Sequence, residues 1–148
     1  MYNFDDLGKK ISELNECTNA LIAKTGLSYS EFAVLYTLAK DGCSTQKKIG
    51  EEWLIPKQTV FNVCKDFRQK GLVQIGEQST DKRERAMSLT QKGHDVADPI
   101  VRTSDELGER VFARLGEKNA EKLFSLLTRF CEICDKEIEN TPDIKTEI

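Results

Sequence analysis

Apolar residues recur at helical spacing over most of this chain. The run from Phe32 to Leu38 is apolar on more than one side, which predicts a helix at the centre of the fold. Ser28 with Glu31 forms a capping-box pattern at the start of that helix. The spacing predicts helices, in chain order, over residues 3–24, 28–41, 45–53, 56–70, 90–116 and 117–139.

One stretch departs from the helical period. Between Leu72 and Leu89 apolar residues alternate on two short segments, which are separated by the charged sequence GEQSTDKRER. The alternation predicts two strands, and the charged residues between them predict a projecting hairpin loop. Gly71 ends the preceding helix, where a left-handed glycine is favourable. A helix followed by a basic hairpin is typical of a winged helix, so DNA binding is the first hypothesis.

The pattern therefore predicts a mainly α fold with a small β-hairpin wing. We assign residues 28–94 to a winged helix-turn-helix and residues 1–27 and 95–148 to long dimerisation helices. The terminal helices carry more apolar surface than a small winged helix can cover, so a second copy is expected to bury it. Pro99 lies inside the predicted helix 90–116 and is expected to kink it or to offset its start.

Composition narrows the class of protein. The 148 residues hold no apolar run near the ~20 residues that span a bilayer, so no membrane association is expected. The first ten residues are acidic where a signal peptide would be basic and then apolar, so we expect a cytoplasmic protein. The 5 cysteines are irregularly spaced, which indicates reduced thiols rather than a disulfide framework.

The formal net charge of −3 is unevenly distributed. Residues 45–92 hold 10 Lys/Arg and 6 Asp/Glu, whereas the remainder holds 12 basic and 19 acidic residues. Charges separated by more than a Debye length of ~8–10 Å are largely screened, so phosphate attraction depends on the local balance. The segregation favours a basic DNA-binding segment in an otherwise acidic chain, although an ordinary mixed surface is the alternative on charge alone.

Two motifs give the chain a resemblance to the MarR-type transcriptional regulators. Asp81-x-Arg83, followed by the sequence Met-Ser-Leu-Thr-x-x-Gly that ends at Gly93, is similar to the wing signature of that family. The sequences Gln-Thr-Val from residue 58 and Lys-Gly-Leu-Val from residue 70 resemble its recognition helix and exit. The resemblance covers essentially the whole chain. It implies a homodimer joined by its terminal helices, and in many members a ligand or oxidant that alters the spacing of the two DNA-binding units.

The predicted recognition helix, residues 56–70, divides into two faces. The apolar residues from Val60 to Phe67 form the buried face, and Gln58 and Asn62 lie four apart on the exposed one. Each amide can pair bidentately with adenine, at ~1–3 kcal/mol of discrimination. Phe61 suits a thymine methyl group, although the family more usually has a small polar residue there. The alternative is a solvated polar face. The predicted DNA contacts of this helix are Lys57, Gln58, Thr59, Phe61, Asn62 and Lys65.

The predicted wing, residues 72–89, supplies a second set of DNA contacts. Arg83 is placed to enter a narrow minor groove, where the negative potential is concentrated. Asp81 is expected to orient that arginine, which is also the role that the resemblance implies. Lys82 and Arg85 are expected to contact phosphates, as are Thr45 and Lys47 of the third helix.

Other chemistry has little support in the sequence. Cys17 falls where peroxide-sensing relatives carry a reactive cysteine, and Cys131-x-x-Cys134 lacks the second ligand pair of a zinc site; packing is the favoured interpretation for both. His94 is the single histidine, so we expect no metal site. No nucleophile-base pair or nucleotide-binding loop is present, so we expect neither enzymatic activity nor a cofactor.

These observations predict a homodimeric transcriptional regulator, interpreted as a repressor, that binds a pseudo-palindromic double-stranded DNA operator. The resemblance implies release by a small aromatic or phenolic effector. Two alternatives stay open: a thiol-based oxidant sensor acting through Cys17, and a winged helix that serves as a protein-interaction module.

Overall fold

The computed structural model of the chain describes residues 2–76 and 85–143. Within these ranges it contains six helices and a two-stranded antiparallel sheet. The chain divides into two compact units, residues 1–105 and 106–148. The elements are α1 Phe4–Ala23, α2 Tyr29–Asp41, α3 Gln46–Glu52, α4 Lys57–Gln69, β1 Val73–Ile75, β2 Met87–Leu89, α5 Gln91–Leu115 and α6 Glu117–Glu139. The predicted fold class, mainly α with a hairpin, is confirmed.

Side-chain caps fix the starts of the helices. The Ser28 hydroxyl accepts a hydrogen bond from the backbone N–H of Glu31, whose carboxylate accepts one from the backbone N–H of Ser28. This confirms the predicted capping box of α2. Thr45 caps α3 in the same way by accepting from the N–H of Lys48 at 3.1 Å. Pro56 stands one residue earlier than predicted, as the N-cap residue of α4 rather than its first helical residue.

The core of the first unit lies between α2, α4 and the hairpin. Leu35, Leu38, Ile49 and Val60 are almost completely buried there. Strands β1 and β2 cover one side, with Val73 paired to Leu89 and Ile75 to Met87. An isolated bridge from Ser44 to Met87 attaches the hairpin to the segment before α3. The core therefore holds the exposed face of α4 in a fixed relation to the base of the hairpin.

Thr90 joins the hairpin to α5. Its hydroxyl donates to the Gly71 carbonyl at 2.6 Å and accepts from the Gly93 N–H at 3.1 Å. The same side chain thus caps α5 and ties the end of β2 to the end of α4. Helix α5 continues through Pro99 to Leu115, and it begins at Gln91 as the Thr90 cap predicts, so Pro99 does not offset its start.

The turn between α3 and α4 contains a strained residue that gives a first prediction. Leu54 has a φ of 51° and is 90% exposed, so its side chain contributes little burial while its Cβ crowds the backbone. Leu54→Gly is expected to raise the free energy of unfolding by up to about 1 kcal/mol, because relief of strain exceeds the entropic cost of glycine. Urea unfolding measures this gain. Leu54→Ala keeps the strain and is the matched control; an equal gain in both variants would contradict the explanation.

The second unit exposes most of its apolar residues. Phe112 and Phe124 contact each other with ring centroids 5.7 Å apart, yet both remain more than two-fifths exposed. No residue of the 23-residue helix α6 is buried. None of the described helices is long and apolar enough to cross a membrane.

Candidate nucleic-acid interface

Helix α4 presents two chemically distinct faces. Val60, Cys64 and Phe67 are buried and Val63 is half-buried, as the apolar spacing predicts. The opposite face exposes the side chains of the predicted reading surface, and Thr59 is half-buried at its edge. The exposed residues are Lys57, Gln58, Phe61, Asn62 and Lys65. A helix with an anchored apolar face and an uncovered polar face can enter a major groove without unfolding the core behind it.

Gln58 and Asn62 contact each other on this exposed face. The Gln58 Nε2 donates a hydrogen bond to the Asn62 Oδ1 at 3.0 Å. The sequence predicts the four-residue spacing but treats the two amides as separate readers of adenine. The structure instead joins them as a pair, with Phe61 beside them at 46% exposure.

A cleft of about 860 Å³ lies between α3, α4 and the hairpin. Lys57 and Phe61 line it from α4, and Lys47 with Glu51 from α3. Arg85 and Met87 line it from the hairpin side. The cleft thus brings together three cations that are far apart in sequence, on the side of α4 that carries the exposed amides. Its size and charge suit a strand of the DNA backbone passing between the recognition helix and the wing.

The α3 candidates differ in their partners. The Thr45 hydroxyl is engaged as the helix cap described above, so a phosphate contact by it would compete with that cap. Lys47 is exposed at the cleft. Lys48 instead pairs with Asp41 at 2.9 Å and with Glu52 at 3.6 Å, and the hydrogen bond to Asp41 raises the pKa of Lys48. Lys48 is therefore held inside the protein's own charge network.

The wing residues are described in part. Asp81, Lys82 and Arg83 lie outside the described residues, so their predicted roles stay predictions. Arg85 is exposed just before β2, and among the described residues it has no ion-pair partner. Its position at the cleft keeps it a phosphate-contact candidate.

The cysteines differ from the packing interpretation. Cys17 and Cys131 are exposed and Cys134 is half-buried, so this chain does not bury them as predicted. Tyr29 and Tyr36, which the sequence places as neighbours of Cys17, hydrogen-bond elsewhere: to the Trp53 carbonyl and to Asp105. Within the described residues, no group of three or more Cys, His, Asp or Glu could hold a metal ion.

Cys64 gives a second prediction. Burial raises the pKa of this thiol from about 9 to about 11. The folded protein therefore holds a proton that the unfolded chain loses, and stability is lost as the pH rises from about 9 to about 11. At pH 8, iodoacetamide is expected to alkylate the exposed Cys43 in native protein and to leave Cys64 intact until urea is added. Peptide mass spectrometry measures both; equal native rates for the two would contradict the assignment.

One cluster has no counterpart in the sequence analysis. The Tyr36 hydroxyl donates to the Asp105 carboxylate at 3.0 Å, and the Lys40 ammonium pairs with the same group at 2.7 Å. These bonds lower the pKa of Asp105, the Lys40 bond most. Tyr36 also stacks on Phe32 and meets Trp53 edge-on, and the Trp53 indole donates to Thr37 at 2.8 Å. No sequence signal joins Tyr36 to a residue 69 positions later.

Comparisons with known proteins agree with this geometry. A model of the MarR family matches residues 25–84. A solved MarR family regulator from Neisseria meningitidis is 41% identical, covers 95% of this chain and 100% of its own, and superposes with a TM-score of 0.86. The transcriptional regulator MhqR from Bacillus subtilis is 27% identical over 83% of this chain and 85% of its own length.

A more distant structure shares the fold. BpsR from Bordetella bronchiseptica, whose DNA binding is regulated by 6-hydroxynicotinic acid, is 19% identical, with a TM-score of 0.66 over 84% of this chain and 98% of its own. The helix-turn-helix with its hairpin, and the 41% identity over almost the whole chain, agree on one assignment. The chain belongs to the MarR family of transcriptional regulators and carries the DNA-binding winged helix-turn-helix of that family.

Proposed function

We propose that this chain acts as a homodimeric repressor of a pseudo-palindromic operator. Helix α4 enters a major groove and the hairpin reaches the adjacent minor groove, with the two half-sites about one helical turn apart. The observation that carries the proposal is the exposed amide and aromatic face of α4 beside a cleft lined by Lys47, Lys57 and Arg85.

Dimerisation is proposed from the uncovered apolar faces of the terminal helices. On α6, Leu123, Leu127 and Phe130 recur on one side, and each is at least two-fifths exposed. In α1, Ile22 is buried while Leu14 is 63% exposed. Monomeric proteins rarely leave apolar stripes of this length in water. A second copy buries them by the same face on both chains, as a two-fold interface requires. The segments 1–27 and 95–148 are the proposed dimerisation regions.

Release by an aromatic hydroxy acid is the proposed regulation. The DNA binding of BpsR responds to 6-hydroxynicotinic acid, which has that chemistry. In this chain, Tyr36 and Lys40 together bind a carboxylate, that of Asp105. The same pair of donors can bind the carboxylate of a ligand in its place. A ligand that favours a dimer spacing unsuited to DNA lowers the population able to bind.

A thiol sensor is the second candidate, favoured by the exposure of Cys17. Mild peroxide treatment followed by operator binding tests it. Loss of binding in the wild type together with retention in Cys17→Ser would support the thiol sensor, whereas equal binding in all samples would exclude it.

A salt titration tests the DNA-binding proposal and supplies the third prediction. The duplex is first selected from a random pool with the wild-type protein. Lys57→Ala and Arg85→Ala should each weaken binding on every duplex and reduce the slope of log K against log salt by about 1 per contact in each half-site, since each lysine or arginine releases counterions. Lys118→Ala, an exposed cation of α6, is the matched control.

Two results would count against the proposal. An unchanged slope in both cleft variants would remove the cleft from the interface. Failure of the wild-type protein to select any duplex would favour a winged helix used for protein contacts.

A further inference from the structure

The hydrogen bond between Gln58 and Asn62 makes the two amides unequal. Gln58 gives one of its two amide protons to Asn62, and Asn62 gives one lone pair of its carbonyl oxygen in return. Gln58 keeps its own carbonyl oxygen and a second proton. These are the acceptor and donor that a bidentate contact with adenine uses.

Position along α4 points to the same division. Gln58 is the second residue of α4, and Asn62 lies one turn further from the N-terminus. The N-terminal residues of a recognition helix are the ones that reach base edges in helix-turn-helix proteins. Both side chains are exposed, so the bond is not a by-product of core packing.

We propose that Gln58 alone reads an adenine and that Asn62 is a positioning residue for it. Asn62 accepts the Gln58 proton and thereby fixes which end of the glutamine amide carries the oxygen and which the nitrogen. Without that partner the amide can rotate by half a turn, which exchanges donor and acceptor and removes the preference for adenine. This inference rests on the proposed function and deepens it, because it assigns specificity within the recognition helix.

Independent readers and a coupled pair make different predictions. Four residues of α-helix rise about 6 Å, whereas successive base pairs are about 3.4 Å apart. Two independent amides would therefore reach different base pairs. A coupled pair affects a single one. The base pair at which each variant loses discrimination distinguishes the two arrangements.

The experiment measures affinities for every single-base-pair variant of one half-site of the selected duplex. We expect Gln58→Ala to lose about 5- to 150-fold discrimination at one A·T pair. Asn62→Ala should lose discrimination at the same pair, and the double variant should be no worse there than Gln58→Ala. Asn62→Asp keeps the acceptor, so it should restore the discrimination ratio while its charge weakens binding to all duplexes alike. Lys65→Ala, exposed on the same helix, is the control and should change no ratio.

Three outcomes would overturn the inference. Loss of discrimination at a different base pair in Asn62→Ala would make Asn62 an independent reader. An unchanged pattern in Asn62→Ala would give it no part in recognition. In both cases the wild-type protein still selects an operator, and the proposed function stands. If the wild-type protein selects no duplex, the proposed function and this inference fail together.

Discussion

Replacing Gly93 with alanine is expected to destabilise the protein by about 3 kcal/mol or more, the upper range for overpacking a rigid site. A Cβ at this position would lie 2.1 Å from the Leu72 carbonyl oxygen and 3.1 Å from the Leu89 Cβ. That oxygen cannot move freely, because it accepts the Thr90 N–H at 2.9 Å. The clash therefore separates the start of α5 from the hairpin. Thermal unfolding should show a melting temperature lower by roughly 10 °C.

Gly108→Ala is the matched control on the same helix. A Cβ there meets no atom within 4 Å, so the substitution should gain up to about 1 kcal/mol from helix propensity. Equal stability of Gly93→Ala and wild-type protein would contradict the close approach of α5 to the Leu72 carbonyl. The result also bears on the Leu-Thr-x-x-Gly motif: Thr90 supplies the cap, and Gly93 the clearance, that this junction requires.

Leu127→Glu is expected to convert the dimer to monomers and to lower affinity for the full operator by roughly 10²–10⁴, because binding of the second half-site is no longer intramolecular. Leu127 lies among Leu123, Phe124 and Phe130 on the exposed apolar side of α6. A dimer that buries this side would bury two uncompensated carboxylates. Light scattering gives the mass, and titration of the selected duplex gives the affinity.

Ser125→Glu places the same charge on the opposite side of α6, where the residues are polar, and should leave mass and affinity unchanged. A dimeric Leu127→Glu protein with wild-type affinity would place the interface elsewhere. If both variants lost the dimer, the effect would be one of added charge rather than of the apolar face.

Local interactions explain why so much of the fold could be predicted from sequence. The capping box at Ser28, the cap at Thr90 and the apolar period of α4 each act within a few residues, so spacing reveals them. The predicted bounds of the last helix, 117–139, are those of the structure. Pro99 shows where a local rule is insufficient: α5 continues through it although an isolated helix would favour a break.

The candidate site was predictable as a surface but not as a set of contacts. Periodicity separates the exposed Gln58 and Asn62 from the buried Cys64, yet it cannot show that the two amides bond to each other. Rotamer choice decides that contact. The cleft that brings Arg85 to Lys57 and the bond from Tyr36 to Asp105 depend on tertiary packing between distant segments. The exposure of Cys17 also differs from expectation, because apolar spacing in α1 gives no indication of how little of that helix the chain itself covers.

One measurement tests most directly whether this chain is a dimeric reader of DNA. The wild-type protein is titrated onto its selected duplex at several salt concentrations while the mass of the complex is recorded. The account predicts two chains per duplex, a pseudo-palindromic selected sequence, and a logarithmic affinity that falls linearly and steeply with the logarithm of salt. Binding of a single chain to a sequence without two-fold symmetry, or an affinity indifferent to salt, would contradict it.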